Sequence, residues 1–101
     1  MIAELSQIVG FDWDEANSLK SSEKHSVTQA EAEQIFADRQ LKIADDVKHS
    51  QNETRYHAMG RTFEGRHLHV TFTLRENQTK LRVISARNMN RKERATYEQE
   101  T

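Results

Sequence analysis

Residues 66–74 read Arg-His-Leu-His-Val-Thr-Phe-Thr-Leu. The alternation puts Leu68, Val70, Phe72 and Leu74 on one side of a strand and His67, His69, Thr71 and Thr73 on the other. A strand with one fully apolar face must belong to a sheet that something covers on that side. Strand-like runs flank it. Arg55 to Phe63 precedes it across a turn at Glu64-Gly65. Thr79 to Arg87 follows it across Arg75-Glu76-Asn77-Gln78. Two short turns between three strands predict an antiparallel meander. Residues 40–47, with Leu41 and Ile43 set among polar neighbours, predict a further strand.

The helices that cover the apolar face must come from outside this run. Residues 8–13 predict a short extended segment. Asp12 or Asp14 can cap a polar helix over 14–24, with Ala16 and Leu19 inward and Trp13 as an anchor. Ser26-Val27-Thr28 breaks that helix. Thr28 and Glu31 have capping-box spacing and open a second helix that carries Ala32, Ile35 and Phe36 and ends near Asp38. Residues 48–54 predict a polar loop. Asn90 caps a final helix from Arg91 to about Glu100, with Glu93 in its first turn. Trp13, Phe36, Phe63 and Phe72 read as core, and Tyr97 as a packing residue. The expected class is α+β: an antiparallel sheet of three to four strands on N-terminal helices, with a C-terminal helix, in a single domain over 1–101.

Charge is divided along the chain. The first fifty residues hold five Lys or Arg against ten Asp or Glu; the remaining fifty-one hold ten against six. Of those ten, eight are arginine, the side chain whose planar fork grips phosphate. The sheet face opposite the core carries His67, His69 and Thr71, joined by Arg55, His57 and Arg61 before it and Arg82 after it. That is a plausible phosphate-binding surface. With no cysteine, a disulfide framework and a thiolate zinc site are excluded. The N-terminus lacks a signal-peptide pattern and no run reaches the ~18 apolar residues of a membrane span, so the expected location is the cytoplasm.

The ordered pieces resemble one family. Phe11-Asp12-Trp13-Asp14, Asn17, Lys24-His25-x-Val27 and Phe36-x-Asp38 look like the start of BrnT-type toxins. Gly60, Gly65-Arg66, Val83-Ile84-Ser85-Ala86-Arg87 and Arg91-Lys92-Glu93-Arg94-x-x-Tyr97-Glu98 match the rest. Ser26, Glu15 and Arg39 stand where the family usually has glycine, proline and proline, all turn or cap positions. The resemblance implies a fold similar to RelE-like ribonucleases and metal-free RNA cleavage that inhibits translation and growth. It also implies a neutralising antitoxin, usually a ribbon-helix-helix DNA-binding protein, in an expected 2:2 complex.

Metal-free cleavage uses the RNA's own 2′-hydroxyl, so the protein must position it, move protons and stabilise charge on phosphorus. Arg66 beside the Gly65 turn, Arg82 on the last strand opposite Thr71 and His69, and Arg87 at that strand's end are the expected charge clamp. The competing reading makes each a surface ion pair with Glu64, Glu76 or Glu93. His25, raised by the resemblance, is a candidate proton mover or an internal loop-orienting residue. Lys24, Arg61, His67, His69, Arg91 and Arg94 are expected to bind RNA. His67 and His69 could hold a metal, but no third ligand is evident, so neither metal nor other cofactor is expected. A non-catalytic module that binds nucleic acid or an acidic protein through the same basic face is the alternative.

Overall fold

The computed structural model describes residues 5–49 and 52–99, without the side chains of 17–21 and 49. Strand β1 (Gly10–Trp13) leads to helix α1 (Glu15–His25) and helix α2 (Gln29–Gln34), which tightens into a 3₁₀ turn at Ile35–Ala37. Strands β2 (Lys42–Asp45), β3 (Arg55–Arg61), β4 (His67–Arg75) and β5 (Lys80–Asn88) follow, then helix α3 (Arg91–Gln99). The sheet order is β1-β5-β4-β3-β2. Strands β2 to β5 form the antiparallel meander. The extended segment at the N-terminus is a fifth strand, parallel to β5, so the sheet is mixed rather than purely antiparallel.

Local chemistry sets the helix boundaries. The Asp14 carboxylate accepts from the Ala16 amide and starts α1. Thr28 and Glu31 exchange both bonds of a capping box and start α2. Asn90 and Glu93 do the same for α3. Between α1 and α2, Ser26 adopts φ 56°, the left-handed conformation that glycine takes without strain.

Leu68, Val70 and Phe72 of β4, Tyr56 and Ala58 of β3, and Leu81, Val83 and Ala86 of β5 are buried together with Val27, Ala32 and Ile35. Phe36 meets Phe72 edge-on at 5.3 Å, seating the α2 end on the sheet. Gly60 permits this approach: a Cβ there would lie 2.9 Å from the Ile35 Cβ. Two core expectations fail. Ala16 is exposed, because α1 turns that position to solvent. Phe63 is 76% exposed, because the β3–β4 turn carries it beyond the sheet. Leu19 and Glu100 lie outside what is described.

Strand β5 contains a bulge. Thr71 pairs with Ser85 but Phe72 pairs with Val83, leaving Ile84 unmatched. Arg82 and Arg87 are five residues apart, so a regular strand would send them to opposite faces. The bulge restores the match and brings both to the polar face, with Val83 in the core. It also moves Arg82 opposite Thr73 rather than Thr71 and His69, which correct the expected register.

Candidate active site on the polar sheet face

The polar face is a grid of cross-strand rows. Arg61 faces His67; Met59, His69 and Arg87 form the next row; His57, Thr71 and Ser85 the third; Arg55, Thr73 and Arg82 the fourth, with Asp12 of β1 beyond Arg82. Helix α3 does not join the other helices on the apolar face. It lies across the first two rows: Tyr97 packs edge-on against His67 at 5.6 Å, and Glu93 reaches Arg87 and His69. The Tyr97 hydroxyl donates to Asp38 at 2.5 Å and pins the helix end. Burial, then the Asp38 carboxylate, pushes the Tyr97 phenol up to about 12. Burial pushes Asp38 up, but bonds from Tyr97, Gln40 and Arg61 outweigh it and hold its carboxyl below the usual range.

Between α3 and strands β2 and β3 lies a cleft of about 540 Å³, lined by Lys42, Ala44, His57, Met59, His69 and Glu93 among others. His57 is its best-placed titratable group. Its Nε2 is 3.2 Å from the buried Asp46 carboxylate and its Nδ1 is 3.3 Å from the Thr71 hydroxyl. The carboxylate only accepts, so in the neutral ring it is Nε2 that carries the proton and Nδ1 that is the acceptor facing Thr71. The His69 ring lies 4.7 Å away, tilted by 46°. Burial, reinforced by Arg87, pushes His69 down to about 4, so it is neutral at pH 7. Its 3.7 Å approach to Glu93 is therefore not an ion pair. Burial and Arg94 also lower His67, whose Nε2 lies 3.5 Å from Glu98 without a hydrogen bond to it.

The expected arginines separate into three environments. Arg87 gives both ends of its fork to Glu93, at 2.8 and 2.9 Å, the ion pair weighed as the competing reading; this bond holds Glu93 near pKa 2 and raises Arg87. Arg82 sits on the open part of the face, bound on one side to Asp12 at 2.9 and 3.1 Å. Arg66 is turned away from the cleft. It donates to the carbonyls of His25 and Ser26, to Glu31 and to Asn88, tying the α1–α2 turn to the ends of β4 and β5. Lys24 and His25 stand at that same turn, remote from the cleft lining. Arg61 is exposed at the end of β3, and Arg91 and Arg94 are exposed on α3, with Arg94 against Glu98.

Asp46 and Lys42 escaped the sequence reading, and His57 was placed on the face without a role. Only the β2–β3 register, with Asp45 opposite Tyr56, brings Asp46 to His57. The long 48–54 connection carries no turn signature that would fix that register. Among the described residues, no three His, Asp or Glu side chains are grouped to hold a metal ion, and no helix is long and apolar enough to cross a membrane.

A small α+β protein with guanidinium groups, a carboxylate-held imidazole and a hydroxyl on one sheet face has the groups to hold an anion beside a proton acceptor. The family model described as "Ribonuclease toxin, BrnT, of type II toxin-antitoxin system" matches residues 13–93. The chain belongs to the BrnT family, whose members are ribonuclease toxins of type II toxin–antitoxin systems. The crystal structure of the Brucella abortus ribonuclease toxin BrnT is similar in fold, with a TM-score of 0.61 at 23% identity over 81% of this chain and 97% of that one. No curated protein sequence matches the chain.

Proposed function

We propose that this chain is a metal-independent endoribonuclease toxin that cleaves RNA on the polar sheet face, arrests translation and growth, and is neutralised in the cytoplasm by its antitoxin. The fold is read as RelE-like. The observation that carries the reading is His57, held by buried Asp46 on one nitrogen and presenting the other to Thr71 in an open cleft beside a basic surface. The substrate 2′-hydroxyl takes the place of Thr71 and gives its proton to Nδ1. Its oxygen closes on phosphorus, and the 5′-oxygen leaves with a proton drawn from solvent. The products are a 2′,3′-cyclic phosphate and a 5′-hydroxyl. Asp46 stabilises the imidazolium that forms, as the carboxylate of a catalytic triad does. Arg82, and Arg87 once a phosphate competes with Glu93, stabilise charge on the phosphorus oxygens. Arg61, His67, His69, Arg91 and Arg94 border the RNA path. Arg66, Lys24 and His25 act through the α1–α2 turn, with Arg66 as the positioning residue.

The antitoxin is a ribbon-helix-helix protein whose dimer holds two toxins, covering the basic face with acidic and apolar groups. Expression of the chain alone in bacteria arrests growth, and co-expression with the adjacent antitoxin frame restores it and yields a 2:2 complex by mass. Normal growth with abundant folded protein contradicts the toxin reading.

A further inference from the structure

Phe63 stands at the tip of the β3–β4 turn with most of its ring in water. Single exposed apolar residues are ordinary on protein surfaces. The turn that carries this one is not. The Phe63 amide donates to the Gln34 side chain at 3.0 Å, from a different element. The Thr62 amide donates to the Arg66 carbonyl, the Gly65 amide to the Thr62 carbonyl, and the Arg66 amide to the buried Thr62 hydroxyl. Three of these bonds close the hairpin turn and the fourth ties its backbone to α2, so the backbone that carries Phe63 is fixed while its ring lies in water. The ring overlooks an open groove of about 840 Å³ whose other walls include Gln34, Asp38, Arg39, Gln40, Arg61 and Glu64.

We infer that this groove is a base-stacking subsite for single-stranded RNA flanking the scissile bond, with Phe63 as the platform and Arg39 and Arg61 as the cations that hold the adjoining phosphates. This rests on the ribonuclease reading of the neighbouring cleft. One flat ring among amide, guanidinium and carboxylate groups, with the Asp38 carboxylate already taken up by Tyr97 and the Gln40 and Arg61 amides, suits a nucleobase, which offers a π-face and a polar edge, better than the contiguous apolar surface of a protein anchor. Because the turn backbone is already fixed, stacking orders only the two side-chain torsions of the ring. Arg61 belongs both to the groove and to the polar face, two strand positions from Met59 in the cleft lining, so the two sites are neighbours around the α3 end that Tyr97 pins to Asp38.

The test is binding of a 2′-O-methyl oligonucleotide, which resists cleavage, carrying 2-aminopurine at successive positions. Stacking on Phe63 quenches the probe at one or two positions. Phe63→Ala removes that quench and weakens binding by about tenfold, the scale of one lost base–aromatic stack. Phe63→Leu, which keeps apolar bulk without a ring face, is impaired nearly as much, whereas Phe63→Trp retains affinity. Because Phe63 is outside the core, melting temperatures stay at the wild-type value, and this is measured alongside. Equal affinities for wild type and Phe63→Ala overturn the subsite alone. A wild-type chain that binds no oligonucleotide overturns it together with the ribonuclease reading. A Phe63→Ala variant that loses only antitoxin binding assigns the ring to a protein partner and overturns it as well.

Discussion

Arg66 and Arg82 are the same residue type in the same basic segment, and their surroundings give them different work. Arg66 satisfies two carbonyls at the end of α1, where four such groups lack intrahelical partners, and adds bonds to Glu31 and Asn88. Arg66→Ala removes the donor from two part-buried acceptors, the His25 carbonyl and Glu31, and from two exposed ones, and costs about 1 kcal/mol of stability. Urea unfolding measures it, and an unchanged midpoint contradicts the positioning role. Arg82 makes one partly exposed ion pair with Asp12, a contact worth about 0–1 kcal/mol. Arg82→Ala therefore leaves the urea midpoint near wild type while lowering RNA cleavage about 10²–10³-fold, the loss expected when a charge-stabilising donor is removed. Sequence places both arginines beside a turn or on a strand. It does not say which guanidinium is consumed by backbone carbonyls, because those partners lie 40 and 41 residues away.

Helix α3 and its contacts form the element that sequence read least well. Its start was legible, since Asn90 and Glu93 are spaced as a capping box. Its place was not, because its residues show no apolar stripe that names a face: Tyr97 is its buried residue, and the sheet side it covers is polar. The meander was legible because the Leu68–Leu74 alternation spans the whole of β4. The bulge was missed, although the parity mismatch between Arg82 and Arg87 is a visible sign of it. The polar seam beneath α3 has a consequence for pH dependence. His69 titrates near 6.5 when unfolded and about 4 when folded, so on acidification the unfolded chain binds the proton first. Stability is therefore full above pH 6.5 and lost as pH falls toward 4, by about 2 kcal/mol between pH 7 and pH 5. Glu93, also lowered, extends the loss from its usual range down to about 2. Urea unfolding at pH 7 and pH 5 shows this drop in the wild type and a much smaller one in His69→Gln. The same drop in both contradicts the buried neutral imidazole.

At the scale of the molecule, one sheet divides labour between its two faces. The apolar face carries stability, sealed by Val27 of the α1–α2 turn, Ala32 of α2 and Ile35 and Phe36 of the 3₁₀ turn. The opposite face holds the groups with chemical capacity, half covered by α3 and open from His57 to Arg82. The division follows from alternation, since a strand that sends Leu, Val and Phe inward can send His, Thr and Arg outward at no cost to the core. Family membership sets the activity as ribonuclease, and the His57–Asp46 arrangement is the place proposed for it. The direct test is cleavage of a defined single-stranded RNA by the purified chain in excess chelator, with the ends of the fragments identified, for wild type, His57→Ala and Asp46→Asn. The account predicts that wild type cuts and leaves 2′,3′-cyclic phosphate or 3′-phosphate ends, that folded His57→Ala loses at least 10²-fold in rate, and that Asp46→Asn falls between them. Cleavage that stops with chelator and returns with a divalent ion, or a folded His57→Ala that cuts as wild type does, contradicts it.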